Sequence, residues 1–558
     1  MSVAKKIAVR AINNYKFVSP ITCLGIKCLL NQFDDDNIDS LLPKVLDRKL
    51  KVSDSFDKRK YQIYKEGLKD KTYRSMYVPS PTNALIESSF LYKLSDSDYD
   101  VSKSVFSYQL PTAGTKSFSS FENYFKMYTE MNDGITTFMN DNKKEGVLIV
   151  DIKKFYTSID DSKALEKFYK RHGNVSLLRD AVVADNGGLT IGINLSHIVA
   201  QEYLRDFDNL MIAQFGQGYF RYVDDISIPC DREELDTIVA YVKTHLPQEL
   251  SVNLEKLDFI TRENWSNLMV SQSGQNNHIK FFEIVNLFIS GNLDRLDDIE
   301  SHLRKKNIFL PINRVRSDVT TDTFDRFLKH ISKANFFRTN PRRWTIDRFD
   351  NFLLDRKKFH LTSLKGVIDG FGINLGSKEI KTRICIRNIN FHLSNLYYLL
   401  NDEELLEVAN LLPEHEGLYP AQCIISCLVD QSFDNLTKLS AKHVSLLAEL
   451  WISRTKAPFQ FTCSKYDSDF IENITYLRLM NVITFNLDDA KSCLEKESSD
   501  FLSAVFDKET RIEAPSDYNE ELQSLLFRYT EQELKALILK PLDVAVEANY
   551  SLESYSLY

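Results

Sequence analysis

No CxxC pair occurs among the eight cysteines of this 558-residue chain. The nearest neighbours are Cys23 with Cys28 and Cys423 with Cys427. That spacing argues against a zinc cluster and, on a chain this long, for free, mostly buried thiols in a reducing cytoplasm. Long hydrophobic runs are missing too. Stretches such as Val147–Val150 fall far short of the ~18 apolar residues of a membrane span, so no membrane partner is expected. The N-terminal stretch MSVAKKIAVRAINNYKF has neither an apolar h-region nor a small-residue cleavage site, which argues against a secretory signal. No fixed repeat period is found. Positive charge is short as well: 70 Lys and Arg stand against 78 Asp and Glu, a net −8 that does not advertise a nucleic-acid binder.

What is present describes a soluble globular protein, 43% hydrophobic and 27% charged, and too long for one ordinary core. Charge is unevenly spread. From Arg304 to Arg387 basic residues crowd together among aromatics, as in ANFFRTNPRRW. Such a strip is commonly a solvated face, and it also permits binding to a phosphate backbone.

Four segments follow from the patterning. Residues 1–145 mix helical periodicity with turn-rich pieces, and MYVPSPTN breaks any helix at Pro79 and Pro81. Residues 146–300 alternate strands (GVLIVDI, YFRYVDDISIP) with amphipathic helices (DDSKALEKFYKRH, REELDTIVAYVKTHL). Residues 301–400 form the basic segment, and 401–558 read as an irregular helical domain. There Asn401 or Asp402 can cap NDEELLEVANLLP, Thr530 and Glu533 make a capping box, and Val444, Leu447, Leu450 and Trp451 mark a further helix.

Aspartate is depleted in strands, yet Asp224 and Asp225 lie inside RYVDDISI. Asp151 ends the apolar run VLIVD in the same way. A strand-end Asp beside an Asp pair at a hairpin turn brings three carboxylates toward one spot, which is unfavourable unless cations sit there. Two divalent ions about 3.5–4 Å apart, clamping the oxygens of a phosphoryl transfer, are the usual solution. The aromatic-x-Asp-Asp pattern alone is weak, since an exposed turn reads the same way.

The order of the surrounding blocks adds to it, and over roughly residues 60–290 they resemble the palm and fingers of a reverse transcriptase. DIKKFYTSI is similar to the first palm motif, with Asp151 as metal ligand and Tyr156 at the aromatic gate against a ribose 2′-hydroxyl. GLTIGINLSHIVAQEYL resembles the second, a turn and helix beneath the template base and nucleotide, through Gly188, Gly192 and Ser196. YVDD matches the third, with Asp224 and Asp225 as ligands. VNLEK, with Asn253 and Lys256, resembles the fourth, whose lysine is a candidate acid for leaving pyrophosphate. In KDKTYRSMYVP, Arg74 with Lys71 or Lys69 would pair with the triphosphate. Taken alone, Tyr156 reads as a core aromatic, Lys256 as a solvated lysine and Gly192 as a turn.

The resemblance implies an α+β right-hand polymerase, fingers and palm, followed by an all-α C-terminal domain. It implies two Mg²⁺ (Mn²⁺ also suits) on Asp151, Asp224, Asp225 and the Ile152 carbonyl, with dNTPs as substrates and DNA as product. The usual second motif reads Pro-Gln-Gly followed by Ser-Pro. Here Thr190-Ile191-Gly192 and Ser196-His197 stand instead, and Ile191 cannot hydrogen-bond a template nucleotide. HIKFFEIVNLF only faintly resembles a primer grip. The altered motif and long helical half resemble the bacterial abortive-infection reverse transcriptases of phage defence. Members of that group are similar to template-independent, protein-primed polymerases, and some form trimers or hexamers. Among 26 tyrosines, Tyr550, Tyr555 and Tyr558 in the polar tail are candidate primers. Two alternatives stay open: a templated enzyme copying a dedicated RNA, and a helical nucleic-acid-binding or toxin-like effector on a palm scaffold. The nearest Arg–His pair for a ribonuclease is Arg356 with His360.

Overall fold

The computed structural model describes residues 3–32, 42–46, 48, 55–64, 73–97, 99, 101–111, 119–273, 275–312, 340–371, 378–507, 512 and 515–539. Lys69, Lys71 and the tail tyrosines Tyr550, Tyr555 and Tyr558 lie outside them, as do Arg314, Arg316 and Arg338 of the basic strip. The chain packs as two units that cut across the four sequence segments. One comprises Met1–Tyr61, Ser75–Val270 and Ile512–Leu525; the other comprises Gln62–Arg74, Ser271–Arg511 and Leu526–Tyr558.

The first unit is built on a four-stranded sheet. Strands β1 (Lys58–Tyr64) and β2 (Tyr73–Pro79) pair separately, ahead of β3 (Gly146–Asp151), β4 (Phe220–Tyr222), β5 (Asp225–Cys230) and β6 (Asp258–Thr261). The sheet order is β4-β5-β3-β6, with every pair antiparallel. β3 lies inside because Val147, Leu148 and Val150 are apolar and buried, as a strand covered on both faces requires. The stretch YFRYVDDISIP is two strands, not one, and the Asp pair marks their turn. The helix Tyr124–Asp141 packs on β3, β4 and β5, and Asp161–His172 packs on Asn194–Phe215. As the prolines require, β2 stops at Pro79 and the next helix begins at Pro81, capped by Ser80.

Two long-range carboxylates hold helix starts in this unit. The helix Asn194–Phe215 has Ile193 at its cap position, which offers no side-chain acceptor. Glu87 supplies one: Oε1 accepts the Leu195 N–H at 3.1 Å and Oε2 accepts Asn194 Nδ2 at 3.0 Å and the Tyr15 hydroxyl. Burial holds the Glu87 carboxyl above its ordinary range. Glu521, from near the other end of the chain, accepts the Thr82 N–H at 2.6 Å and the Ser80 hydroxyl at 2.7 Å. Tyr518 meets Thr22 Oγ1 at 2.9 Å and underlies the Arg59 guanidinium.

From Ser271 onward the described residues of the second unit are helical apart from the short parallel pair β7 (Phe459–Gln460) and β8 (Ile483–Thr484). Asn401 and Glu404 form a capping box at the start of Asp402–Leu411, and Thr530 with Glu533 caps Glu531–Leu539. Val444, Leu447, Leu450 and Trp451 are buried on one helix, Ala441–Ser453. HIKFFEIVNLF, the faint primer-grip match, is helical within Gln275–Ser290. All eight cysteines are free, six of them buried. No described helix is long and apolar enough to cross a membrane.

Candidate active site

The register of the sheet carries the site. Asp151, the last residue of β3, is the cross-strand partner of Asp225, the first residue of β5. Directly opposed residues on antiparallel strands project to the same face, so two carboxylates meet there. Asp224 occupies the β4–β5 turn beside them, and its carbonyl accepts the Ile152 N–H at 3.1 Å. Asp151 is only 5% exposed, whereas Asp225 is exposed and Asp224 half-buried.

The turn is held from beneath. Val223 has φ +55, a left-handed conformation that a β-branched residue avoids. Its N–H donates to Ser107 Oγ at 2.9 Å, and its carbonyl accepts Arg221 Nη1 at 2.8 Å. Arg221 is itself buried and donates from Nε and Nη2 to both oxygens of Asp208 at 2.7 and 2.6 Å. Tyr219 OH donates to the same carboxylate at 2.7 Å. A fork-to-fork buried pair is the strong form of such a contact, and here it fixes the loop bearing the aspartates.

Asp151 already carries partners on both oxygens. Lys256 Nζ stands 2.8 Å from Oδ1, and Asn253 Nδ2 stands 2.9 Å from Oδ2. The Asn253 N–H also donates to the Asp151 carbonyl at 2.8 Å. The Lys256 side chain is 54% exposed, so its ammonium is anchored at the tip only. Among the described residues, no three His, Cys, Asp or Glu side chains are gathered as a metal-holding group. The donors along this edge are carboxylate oxygens, the type a hard divalent cation takes, and at Asp151 Oδ1 such an ion would displace the Lys256 ammonium.

The second-motif loop lies between β2 and the turn after β3. The Tyr77 N–H donates to the Ile191 carbonyl at 2.8 Å, and the Leu189 N–H donates to the Tyr156 carbonyl at 2.8 Å. A Cβ at Gly192 (φ +104) would collide with the Tyr77 carbonyl, and one at Gly188 (φ +76) would lie 2.7 Å from the Thr157 carbonyl oxygen. Those two glycines permit the close approach. Thr190 Oγ1 bonds Ser196 Oγ at 2.6 Å, closing the loop on the start of its helix.

Tyr156 is packed inward. Burial, then Tyr108 and Asp224, push its phenol well above the ordinary range, so it lies within electrostatic reach of Asp224. Its hydroxyl is 2.5 Å from His197 Nδ1, and burial lowers that imidazole to about 3. Arg74 lies exposed on β2. Arg221, Asp208, Ser107 and His197 were not foreseen as site residues. Only His197 left a signal, as the departure from Ser-Pro.

The basic strip is partly engaged inside the second unit. Lys357 pairs with Glu404 at 2.6 Å, Arg304 with Glu300 at 2.5 Å, and Lys306 with Asp350. Arg342 Nε donates to Ser290 Oγ at 2.9 Å, while Arg348 and Arg356 lie over Trp344 and Phe352. His360 is 2% exposed and its Nδ1 is 3.0 Å from His392 Nδ1. A buried imidazole cannot meet an RNA strand, which removes the Arg356–His360 ribonuclease pair.

No curated protein matches the chain. Residues 71–282 match the family model of the reverse transcriptase (RNA-dependent DNA polymerase). The match spans less than half the chain and contains Asp151, Tyr156, Asp224, Asp225 and Lys256, so this part of the protein is similar to a reverse transcriptase domain.

Proposed function

We propose that the protein is a DNA polymerase of bacterial phage defence, of the abortive-infection kind, that joins dNTPs by phosphoryl transfer. The observation that supports this most is the pairing of Asp151 with Asp225 at one sheet edge within the reverse-transcriptase match. Asp151, Asp224, Asp225 and the Ile152 carbonyl would hold two Mg²⁺ or Mn²⁺, which would supply Lewis acidity to the attacking and leaving oxygens. Asn253 orients Asp151. Lys256 offers a proton to departing pyrophosphate, Arg74 with Lys71 neutralises the triphosphate, Tyr156 walls the sugar, and Gly192 keeps the loop close. The attacking hydroxyl loses its proton and bonds the α-phosphorus as the α–β bridge breaks. The exposed Lys305, Arg343, Lys358 and Lys365 are the cations for a nucleic-acid product.

Ile191 offers no side-chain hydrogen bond to a template, which favours untemplated synthesis begun on a tyrosine of the tail, Tyr550, Tyr555 or Tyr558, in a cytoplasmic trimer or hexamer. Incubation with each labelled dNTP and Mg²⁺, without added nucleic acid, should yield label that protease releases from the protein. Label that requires added RNA and copies it would replace this with the templated reading. The double variant Asp224→Asn, Asp225→Asn should lose incorporation at least 100-fold, on the order seen when a catalytic electrostatic group is removed. Its thermal midpoint should stay within about 3 °C, since exposed or half-buried aspartates add little to folding. Full incorporation by that variant overturns the assignment.

A further inference from the structure

Where the reverse-transcriptase pattern has proline after its serine, this chain has His197, and the structure gives that residue three aromatic neighbours. Its ring lies flat on Tyr108, with centroids 3.7 Å apart and planes 5° from parallel. Phe121 meets it edge-on at 6.2 Å, and Tyr156 meets it edge-on at 5.4 Å. Nδ1 takes the Tyr156 hydroxyl at 2.5 Å. Tyr108 has φ +47, a left-handed conformation that a non-glycine residue disfavours. It persists where surrounding packing over-determines it, and the flat stack on His197 is part of that packing. His197 sits in the first turn of the helix Asn194–Phe215, whose start Glu87 anchors. The imidazole is therefore carried by a fixed element.

We propose that His197 is a positioning residue for sugar selection: it holds the Tyr156 ring at a set depth and engages its hydroxyl, so that the ring face rather than the phenolic oxygen borders the nucleotide. The inference rests on the reading of Tyr156 as the sugar wall. A phenol with a free hydroxyl can tilt and can hydrogen-bond a ribose 2′-hydroxyl, which would favour ribonucleotides. A phenol bonded to imidazole can do neither without losing that bond.

The test is incorporation of matched dNTPs and rNTPs by the full chain, with kcat and KM measured separately. His197→Phe retains the stack on Tyr108 and removes the imidazole acceptor, leaving the Tyr108 side chain as a weaker tether for the Tyr156 hydroxyl; Tyr156→Phe removes the hydroxyl and retains the ring. His197→Phe should lower the dNTP-to-rNTP ratio of kcat/KM by about three- to tenfold, the value of one hydrogen bond, mostly through the KM for rNTPs, whereas Tyr156→Phe, with no hydroxyl to offer a ribose, should lower it less. The double variant should be no worse than either single one. His197→Asn, which can still meet the hydroxyl, should recover most of the ratio. An unchanged ratio in His197→Phe, or equal losses for both nucleotide classes, overturns the role of His197 while the polymerase reading stands. A wild-type chain that incorporates neither class overturns the polymerase reading and this inference together.

Discussion

At the scale of single residues, buried and half-buried histidines tie stability to pH. Burial lowers the His392 imidazole to about 4 and those of His197 and His443 to about 3, from an ordinary 6.5. In the His360–His392 contact one ring nitrogen must accept, so protonating both rings breaks it. Between each folded value and 6.5 the unfolded chain binds the extra proton. The stabilisation is thus complete above about pH 6.5 and is lost as pH falls toward 4 and below. The urea midpoint should drop between pH 7 and pH 4.5, and should drop less in His392→Asn, where one of the titrating groups is gone. An equal drop in both proteins would remove His392 from the account.

At the scale of elements, the site depends on a loop that only glycine can make. Gly192 carries φ +104 and abuts the Tyr77 carbonyl. Gly192→Ala must either push β2 away or break the bond from the Tyr77 N–H to the Ile191 carbonyl. The expected cost is about 2–4 kcal/mol in unfolding free energy, from a strained dihedral together with a displaced buried contact. Nucleotide incorporation should fall alongside, because the same loop bonds the Tyr156 carbonyl. By contrast Gly187→Ala, also at positive φ but with nothing within 4 Å, should pay only the dihedral term. Comparing the two variants by denaturant titration separates strain from collision.

At the scale of the whole molecule, the first unit is not a continuous piece of chain. Residues Ile512–Leu525 complete it, and Glu521 caps the helix Pro81–Ser95 through Ser80 and Thr82 across more than 430 positions of sequence. Glu521→Ala should cost about 1–2 kcal/mol, the value of a helix cap. It should also raise amide exchange in the Pro81–Ser95 helix before the second unit is affected, as mass spectrometry of deuterated peptides would register. Exchange unchanged in that helix would refute the cap. Closing so long a loop adds only slowly to the entropic cost, which is why a returning segment is tolerable.

Local structure was largely legible from residue order. The strand ending at Asp151, the caps at Asn401 and Thr530, the stop at Pro79 and the buried face of Val444, Leu447, Leu450 and Trp451 all follow from periodicity and cap chemistry, which act over a few residues. Motif order pointed to Asp151, Asp224 and Asp225, and the sheet register sets Asp151 opposite Asp225. Tertiary packing decided what lies around them. It opposed Asp151 to Asp225, placed Lys256 and Asn253 on Asp151, set Arg221 and Asp208 beneath the turn, and joined His197 to Tyr156. It also engaged Arg304, Lys306 and Lys357 of the basic strip in ion pairs and buried His360, neither of which the residue order showed. The physical reason is the range of the forces. Propensity and capping are read from neighbours in sequence, whereas burial and charge pairing depend on partners that the chain brings back from tens or hundreds of residues away.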